Sequence, residues 1–247
     1  MPQLPHVRFY LDTAEVTAWE SWMPTGLFYG VTSNPLLLER AKVACTLSSL
    51  THLAHKAFAL GAQEVQLQTW GDTIAALVST GEQLAALDAR VVVKVPITRL
   101  GTTAAAQLAK LGVRVTLTAV YSVPQVLIAA ALGAEYVAPY LGRINDLGQD
   151  GRALLAEMQR ALNGVQSPTR ILAASIRDLE DISYLATQGL DTFTFAPKIA
   201  SAFFDIKATI AATEDFERAA KAMGASTAHP AQRPHPAPAN SPSNLNS

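Results

Sequence analysis

Hydrophobic and polar positions follow one another along the chain in two rhythms. Short runs of β-branched and aromatic residues, bounded by Gly, Pro, Asn or Asp, read as strands, and longer stretches of helix-forming character lie between them. Strand-like runs fall at residues 7–13, 26–35, 64–70, 114–120, 135–141, 170–175 and 191–197, with a further one at Val91–Pro96. Helix is expected at residues 14–22, at 36–60 in two pieces, then at 71–88, 102–111, Val123–Leu132, 148–162, 178–188 and onward to Met223. Pro124 falls in a first helical turn, where its missing N–H is harmless. Strand and helix alternating eight times predicts an α/β chain, a single-domain (β/α)₈ TIM barrel over residues 1–224. The alternative is an open, doubly wound sheet, but no Gly-rich dinucleotide loop follows the first strand. Residues 225–247 shift to Ala, Pro, Ser, Asn and Gln and are expected to form a disordered tail.

Composition narrows the class without choosing the fold. The chain has 247 residues, 49% of them hydrophobic and 16% charged, enough for one large core or two smaller ones. A formal net charge of −1 without a basic cluster argues against nucleic acid and against an anionic membrane surface, leaving small molecules as the expected partners. The single cysteine, Cys45, cannot form an intramolecular disulfide, and no Cys/His pair has zinc spacing, so neither a structural metal nor an oxidising compartment is expected. The first six residues hold two prolines and no apolar core of signal-peptide length, which predicts a cytoplasmic chain.

The chemistry is expected around Val91-Val92-Val93-Lys94-Val95-Pro96. A strand of a parallel sheet is covered on both faces, and burying an unpaired ammonium there drives the group toward its neutral form. Neutral amine is the form that attacks a carbonyl, so Lys94 is a candidate Schiff-base nucleophile. The other reading places it at the strand end, snorkelling into solvent or paired with an acid. Active sites of such barrels lie at the C-terminal strand ends, and side chains alternate along each strand. Asp12 and Asn34 end the first two strands, Gln66 and Gln68 share a face of the third, Thr116 and Thr118 of the fifth, Tyr136 and Tyr140 of the sixth, and Ser175 ends the seventh. Each alone also reads as a cap, a turn or packing; their convergence on one lysine is what favours catalysis. Arg143, directly after the sixth strand, has the planar fork that suits phosphate, with a salt bridge to Asp146 as the alternative. His52 and His55, three apart, read as a solvated helix face rather than a metal site.

Tyr10-Leu11-Asp12-Thr13, Gly30-Val31-Thr32-Ser33-Asn34-Pro35, Val93-Lys94-Val95-Pro96, Thr118-Ala119-Val120-Tyr121, Gly133-Ala134-Glu135-Tyr136-Val137-Ala138-Pro139-Tyr140 and Leu172-Ala173-Ala174-Ser175 resemble the successive strand motifs of the transaldolase family. The likeness is closest to its short branch, which includes fructose-6-phosphate aldolase, and it covers residues 7–223. The resemblance implies a class I aldolase barrel without metal or organic cofactor, in which Lys94 forms an imine with a dihydroxyacetone-type donor. It implies proton transfer by Asp12, a catalytic water held by Thr118 and Gln66, and Tyr140 as acid/base with that water. Asn34 and Ser175 would bind donor hydroxyls, and Thr32, Ser33, Ala138 and Arg143 would complete the substrate site for a sugar phosphate. Many transaldolases carry phenylalanine at the position of Tyr140 and glutamate on the third strand, so Tyr140 and Gln66 resemble the aldolase branch. True transaldolase activity in the pentose phosphate pathway is the alternative, and a non-catalytic sugar-phosphate binder the second. The resemblance further implies homo-oligomeric rings built through the C-terminal helix. Ser33, where threonine is commoner, and the Leu36-Leu37-Leu38 run depart from the pattern and bear on substrate fit.

Overall fold

The computed structural model of the chain describes residues 7–225. Its strands are β1 (Arg8–Asp12), β2 (Gly30–Thr32), β3 (Glu64–Gln68), β4 (Val91–Pro96), β5 (Val115–Val120), β6 (Tyr136–Pro139), β7 (Arg170–Ala173) and β8 (Thr192–Phe195). All neighbours pair in parallel in sequence order, and β8 returns to β1, Phe9 opposite Phe193 and Tyr10 opposite Thr194, so the barrel closes. That closure rules out the open doubly wound sheet. The helices are α1 (Val16–Trp22), α2 (Pro35–Arg40), α3 (Leu47–Ala59), α4 (Ile74–Ala85), α5 (Arg99–Lys110), α6 (Val123–Leu132), α7 (Leu141–Asp146), α8 (Gly151–Gly164), α9 (Leu179–Thr187), α10 (Pro197–Ala202) and α11 (Lys207–Ala222). Among the described residues, no helix is long and apolar enough to cross a membrane.

Capping residues explain most helix starts. Asn34, Thr46, Thr73, Thr98, Asp150 and Asp178 each accept a backbone N–H of the first turn, which satisfies a donor that the helix itself leaves free. Thr98 starts α5 three residues earlier than its apolar pattern suggests. Gly148 takes a left-handed turn at φ 78° and Asp150 caps the helix beyond it, so α8 starts three residues later than expected. The six-residue α7 was not expected: Tyr140 precedes it without a side-chain cap, and nothing in Leu141-Gly142-Arg143 announces a helix.

Residues as far as Phe204 form one compact unit, and α11 falls in a second unit that begins at Asp205. α11 has no buried residue. The expected tail, residues 225–247, lies outside the described residues except for Ala225.

Alternation along the strands divides the core in two. Leu11, Val31, Val65, Val93, Leu117, Val137, Ile171 and Phe193 point outward and join the large cluster beneath the helices. Tyr10, Val92, Tyr136, Ala138 and Leu172 form a separate cluster inside the barrel, with Tyr29 and Tyr140 packed against it. The interior is thus filled by side chains and is not a pore. Gly30 is fixed by close approach: a Cβ there would stand 2.0 Å from the Glu64 carbonyl oxygen and 3.2 Å from the Tyr10 ring. Gly30→Ala is expected to push β2 away from β3 at a cost of about 3 kcal/mol or more, beyond ordinary overpacking. Thermal unfolding would show this as a markedly lower Tm, and an unchanged Tm would mean that the strands can part without loss.

Candidate functional site

A cavity of about 280 Å³ opens at the C-terminal ends of the strands, lined by Asp12, Asn34, Lys94, Ala138, Tyr140, Arg143 and Ser175 among others. These are seven of the eleven residues expected from the sequence. The other four, Thr32, Ser33, Gln66 and Thr118, lie buried around the cavity without lining it.

Lys94 is only 4% exposed and forms no salt bridge among the described residues. Alternation on β4 sends Val93 and Val95 to the helix side and Lys94 inward. Burial pushes its ammonium below the ordinary lysine range, and the charge of Asp12 acts in the opposite direction. Asp12 is oriented by a relay of hydroxyls. Thr32 Oγ1 donates to Asp12 Oδ1 at 2.7 Å and lies 2.6 Å from Thr194 Oγ1, so Thr194 is the donor to Thr32. Asn34 uses Oδ1 to cap α2, accepting from the N–H groups of Leu36 and Leu37 at 3.0 and 3.1 Å. That fixes its amide and leaves the NH₂ group to the cavity.

Across the barrel, β5 carries a bulge between Thr118 and Val120, with Ala119 in the left-handed region at φ 59°. The Thr118 hydroxyl beside it is buried and has no hydrogen-bond partner of good geometry. Burial pushes the Tyr140 phenol above its usual range; neighbouring Thr118 and Arg143 counter this and Asp12 adds to it. Tyr140 is therefore a proton-bearing group at neutral pH. Ser33 Oγ is likewise buried without a partner, while its N–H donates to the Gln66 carbonyl at 3.0 Å. Gln66 itself is fully buried, its Nε2 donating to Glu64 at 2.9 Å and its Oε1 accepting from Thr116 at 2.8 Å.

The salt bridge held as the alternative for Arg143 does not form. Asp146 is taken by Arg177, through two bonds of 2.6 and 2.5 Å, which hold its carboxyl below the usual range. Arg143 instead lies over the Tyr140 ring, 5.1 Å from its centre, and lines the cavity. Sequence reasoning missed three polar lining residues, Arg40, Arg177 and Thr194. Thr194 shares its face of β8 with Thr192, the same signal that marked Thr116 and Thr118. Arg177 lies two residues beyond Ser175 and was within reach of the strand-end argument; Arg40, at the end of α2, carried no signal. Gly142 makes the approach of α7 to this loop possible, since a Cβ there would stand 2.4 Å from the Ser175 carbonyl oxygen and 2.6 Å from Arg177 Nε.

Comparison with known sequences matches residues 9–234 to the family described as transaldolase/fructose-6-phosphate aldolase. The chain belongs to that family. Similar relatives include a "probable transaldolase" of Phenylobacterium zucineum, 31% identical over 198 residues that span 80% of this chain and 89% of the relative. Another, a "probable transaldolase" of Thermus thermophilus, is 35% identical over 203 residues, or 76% of this chain and 86% of the relative. Among solved structures, a mandelate oxidase superposes with a TM-score of 0.55 at 13% identity, covering 77% of this chain and 65% of that one. A flavocytochrome b2 does so at 0.55 and 12% identity, covering 76% and 56%. At such identities these two share the barrel fold and nothing more. As a transaldolase/fructose-6-phosphate aldolase family member, the chain is an enzyme of a family that binds sugar phosphates.

A lysine buried in an apolar strand without a salt bridge costs stability. Lys94→Met, which keeps the length and removes the charge, is expected to raise Tm by about 2–4 °C, the shift that ~1 kcal/mol gives in a chain of this size. Because the folded pKa is lowered, the unfolded chain binds the extra proton, so parent stability rises with pH through the window below the ordinary value of about 10.4. The gap between variant and parent is then widest at low pH and narrows upward. A variant less stable than the parent at neutral pH would show that the ammonium is satisfied where it lies.

Proposed function

We propose that the chain is a class I aldolase that cleaves fructose 6-phosphate into dihydroxyacetone and glyceraldehyde 3-phosphate, or joins them in reverse. The observation that carries this reading is Lys94, inward-facing and 4% exposed, sharing one cavity with Asp12, Tyr140 and Arg143. The neutral Lys94 amine attacks the ketose carbonyl, and loss of water gives an iminium. Asp12 takes the proton of the hydroxyl two carbons from the iminium carbon, that hydroxyl becomes the aldehyde as the bond to the intervening carbon breaks, and the bond's electron pair passes into the iminium to give an enamine. The aldehyde leaves. Tyr140, held in its protonated form, supplies the proton that restores the imine, and water then hydrolyses it and frees Lys94. Thr118 and Gln66 hold that water in this reading. Asn34 and Ser175 contact the donor hydroxyls, and Arg143 holds the phosphate. Arg177 is a second phosphate candidate, because its exposed pair with Asp146 is weak enough to exchange. The imine supplies the electron sink, so the scheme needs no metal and no organic cofactor.

Two features support water as the final acceptor. Tyr140 and Gln66 resemble the aldolase branch, and the buried Thr118 hydroxyl stands beside the phenol, where it holds the phenol's pKa down against burial. The names of the relatives favour a second reading, true transaldolase, in which the imine waits for an aldose phosphate. Within the same proposal the enzyme is cytoplasmic and assembles from like subunits through its C-terminal region. Exposed Ile206, Ile210 and Phe216 support a contact there.

The deciding assay is release of glyceraldehyde 3-phosphate from fructose 6-phosphate, with and without erythrose 4-phosphate. Release without the acceptor is expected; release only with it would make the enzyme a transaldolase, and none in either case would sink both. Borohydride added with fructose 6-phosphate should fix a covalent adduct to Lys94, and Lys94→Ala should remove adduct and turnover alike. Arg143→Ala should lower kcat/KM for the phosphorylated ketose by about 10–100-fold, the worth of a charge-assisted hydrogen bond. The loss should appear mainly in KM, with activity on unphosphorylated ketoses nearly unchanged. An equal loss on both substrates would remove Arg143 from phosphate binding.

A further inference from the structure

Below the catalytic chamber the barrel holds a carboxylate that the reaction scheme does not use. Glu64, at the start of β3, is completely buried. Its Oε1 accepts from the Tyr10 hydroxyl at 2.8 Å and from Gln66 Nε2 at 2.9 Å. Its Oε2 accepts from Arg114 at 2.5 Å and from the Tyr136 hydroxyl at 3.2 Å. Arg114 also binds Glu135, at 2.6 and 2.5 Å, so the buried charge is compensated. A structural plug would need no more than these contacts to Arg114 and the tyrosines. The bond to Gln66 points upward, toward the chamber.

That bond decides which way the Gln66 amide faces. An ionised carboxylate only accepts, so the side of the amide turned to Glu64 must be the NH₂. A flip would set the amide oxygen against a carboxylate oxygen. On its other side the amide oxygen accepts from the Thr116 hydroxyl, one alternate position before Thr118 on the same face of β5. Gln66 is thereby tethered at both ends, and what it has left is known: one N–H and one lone pair of Oε1. Without Glu64 an amide at this depth has two orientations that differ in which atom they offer.

We propose that Glu64 is a positioning residue for the water step: it fixes the Gln66 amide in one orientation, so that the water hydrolysing the imine meets a set arrangement of donor and acceptor. The inference rests on the aldolase reading above. Glu64 touches neither substrate nor lysine, and the formation of the imine and the cleavage of the carbon–carbon bond do not involve it.

The test compares two exits from the same intermediate in parent, Glu64→Gln and Thr116→Val proteins. The first variant keeps shape but lets residue 64 present either an oxygen or an NH₂ to Gln66; the second removes the other tether while leaving the charges in place. Free dihydroxyacetone release from fructose 6-phosphate should fall about tenfold in each, the scale of losing a charge-assisted or buried hydrogen bond. Transfer to erythrose 4-phosphate and borohydride trapping on Lys94 should stay within about twofold of the parent. A purely structural role would lower all three together, or lower Tm with no change in their ratio, and either result overturns the assignment. So does an unchanged ratio in both variants. If the parent traps the ketose but releases no free dihydroxyacetone, the role of Glu64 fails while the imine stands. If the parent fails to trap at all, both proposals fail.

Discussion

The site depends on one unfavourable placement, an amine inside a sheet that is covered on both faces. A lysine at Val91–Pro96 faces inward because its neighbours Val93 and Val95 are needed by the helix layer, and the strand's two-residue period leaves no other choice. Burial then presses the group toward the neutral form that chemistry needs, while Asp12 sits near enough to oppose that pressure. The two influences have separate uses. In the proposed mechanism the first makes a nucleophile, and the second keeps a carboxylate beside the bond to be broken.

Polar groups inside the barrel are handled differently at its two ends. Toward the N-terminal ends of the strands most charges are matched: Glu64 with Arg114, Arg114 with Glu135, and Arg170 with Asp191 at 3.4 Å, while Arg8 meets the Tyr136 hydroxyl and the Tyr29 ring and keeps a buried Nε without a partner among the described residues. Tyr10 and Tyr136 lie against Glu64, and burial with that charge pushes both phenols well above their usual range, so they remain donors. Toward the C-terminal ends the matching is incomplete. Among the described residues, the Thr118 and Ser33 hydroxyls have no partner of good geometry, and Arg143 lies over the Tyr140 ring without a salt bridge. Unmatched groups cost free energy in a folded protein, and those grouped around the cavity are within reach of a ligand that completes them, whereas Arg8 is not. The matched end carries stability, as is usual for the lower face of such barrels.

The legible part of this structure is the part set by local period. All eight strands follow from short apolar runs, and eight of them alternating with helices, with no Gly-rich dinucleotide loop after the first, predict the closed barrel. The strand-end residues of the site follow from alternation alone, as Asp12, Asn34, Lys94, Tyr140 and Ser175 illustrate. What escaped sequence reasoning depends on residues far apart in the chain. The partner that the sequence offered Asp146, as the alternative role of Arg143, lies three positions away, whereas closure brings up Arg177, thirty-one positions away. Glu64 and Arg114 look like ordinary solvated charges at strand starts, and only the barrel brings them together across fifty positions. Helix α7 was missed for a different reason: it has no side-chain cap, and its position is held by backbone bonds to the neighbouring loop.

Those bonds also explain how strained backbone survives where the site needs it. Ala119 and Ser175 both lie in the left-handed region, at φ 59° and 58°, and each such residue costs about 1–3 kcal/mol. Glycine would adopt the same angles more easily, yet it would equally adopt others, and Thr118 and Ser175 would lose their fixed aim. The strain is offset by a short ladder across three strand ends. The Tyr140 N–H donates to the Val120 carbonyl at 3.2 Å, Leu141 to Ala174 at 3.0 Å, and Gly142 to Ser175 at 3.0 Å. This ladder joins the ends of β5, β6 and β7, so Thr118, Tyr140 and Ser175 keep their spacing as one body. Arg143, one residue beyond the ladder in the same helical turn, inherits that rigidity. A side chain of any size at Gly142 would break the last rung, which is why the smallest residue stands between the phenol and the arginine.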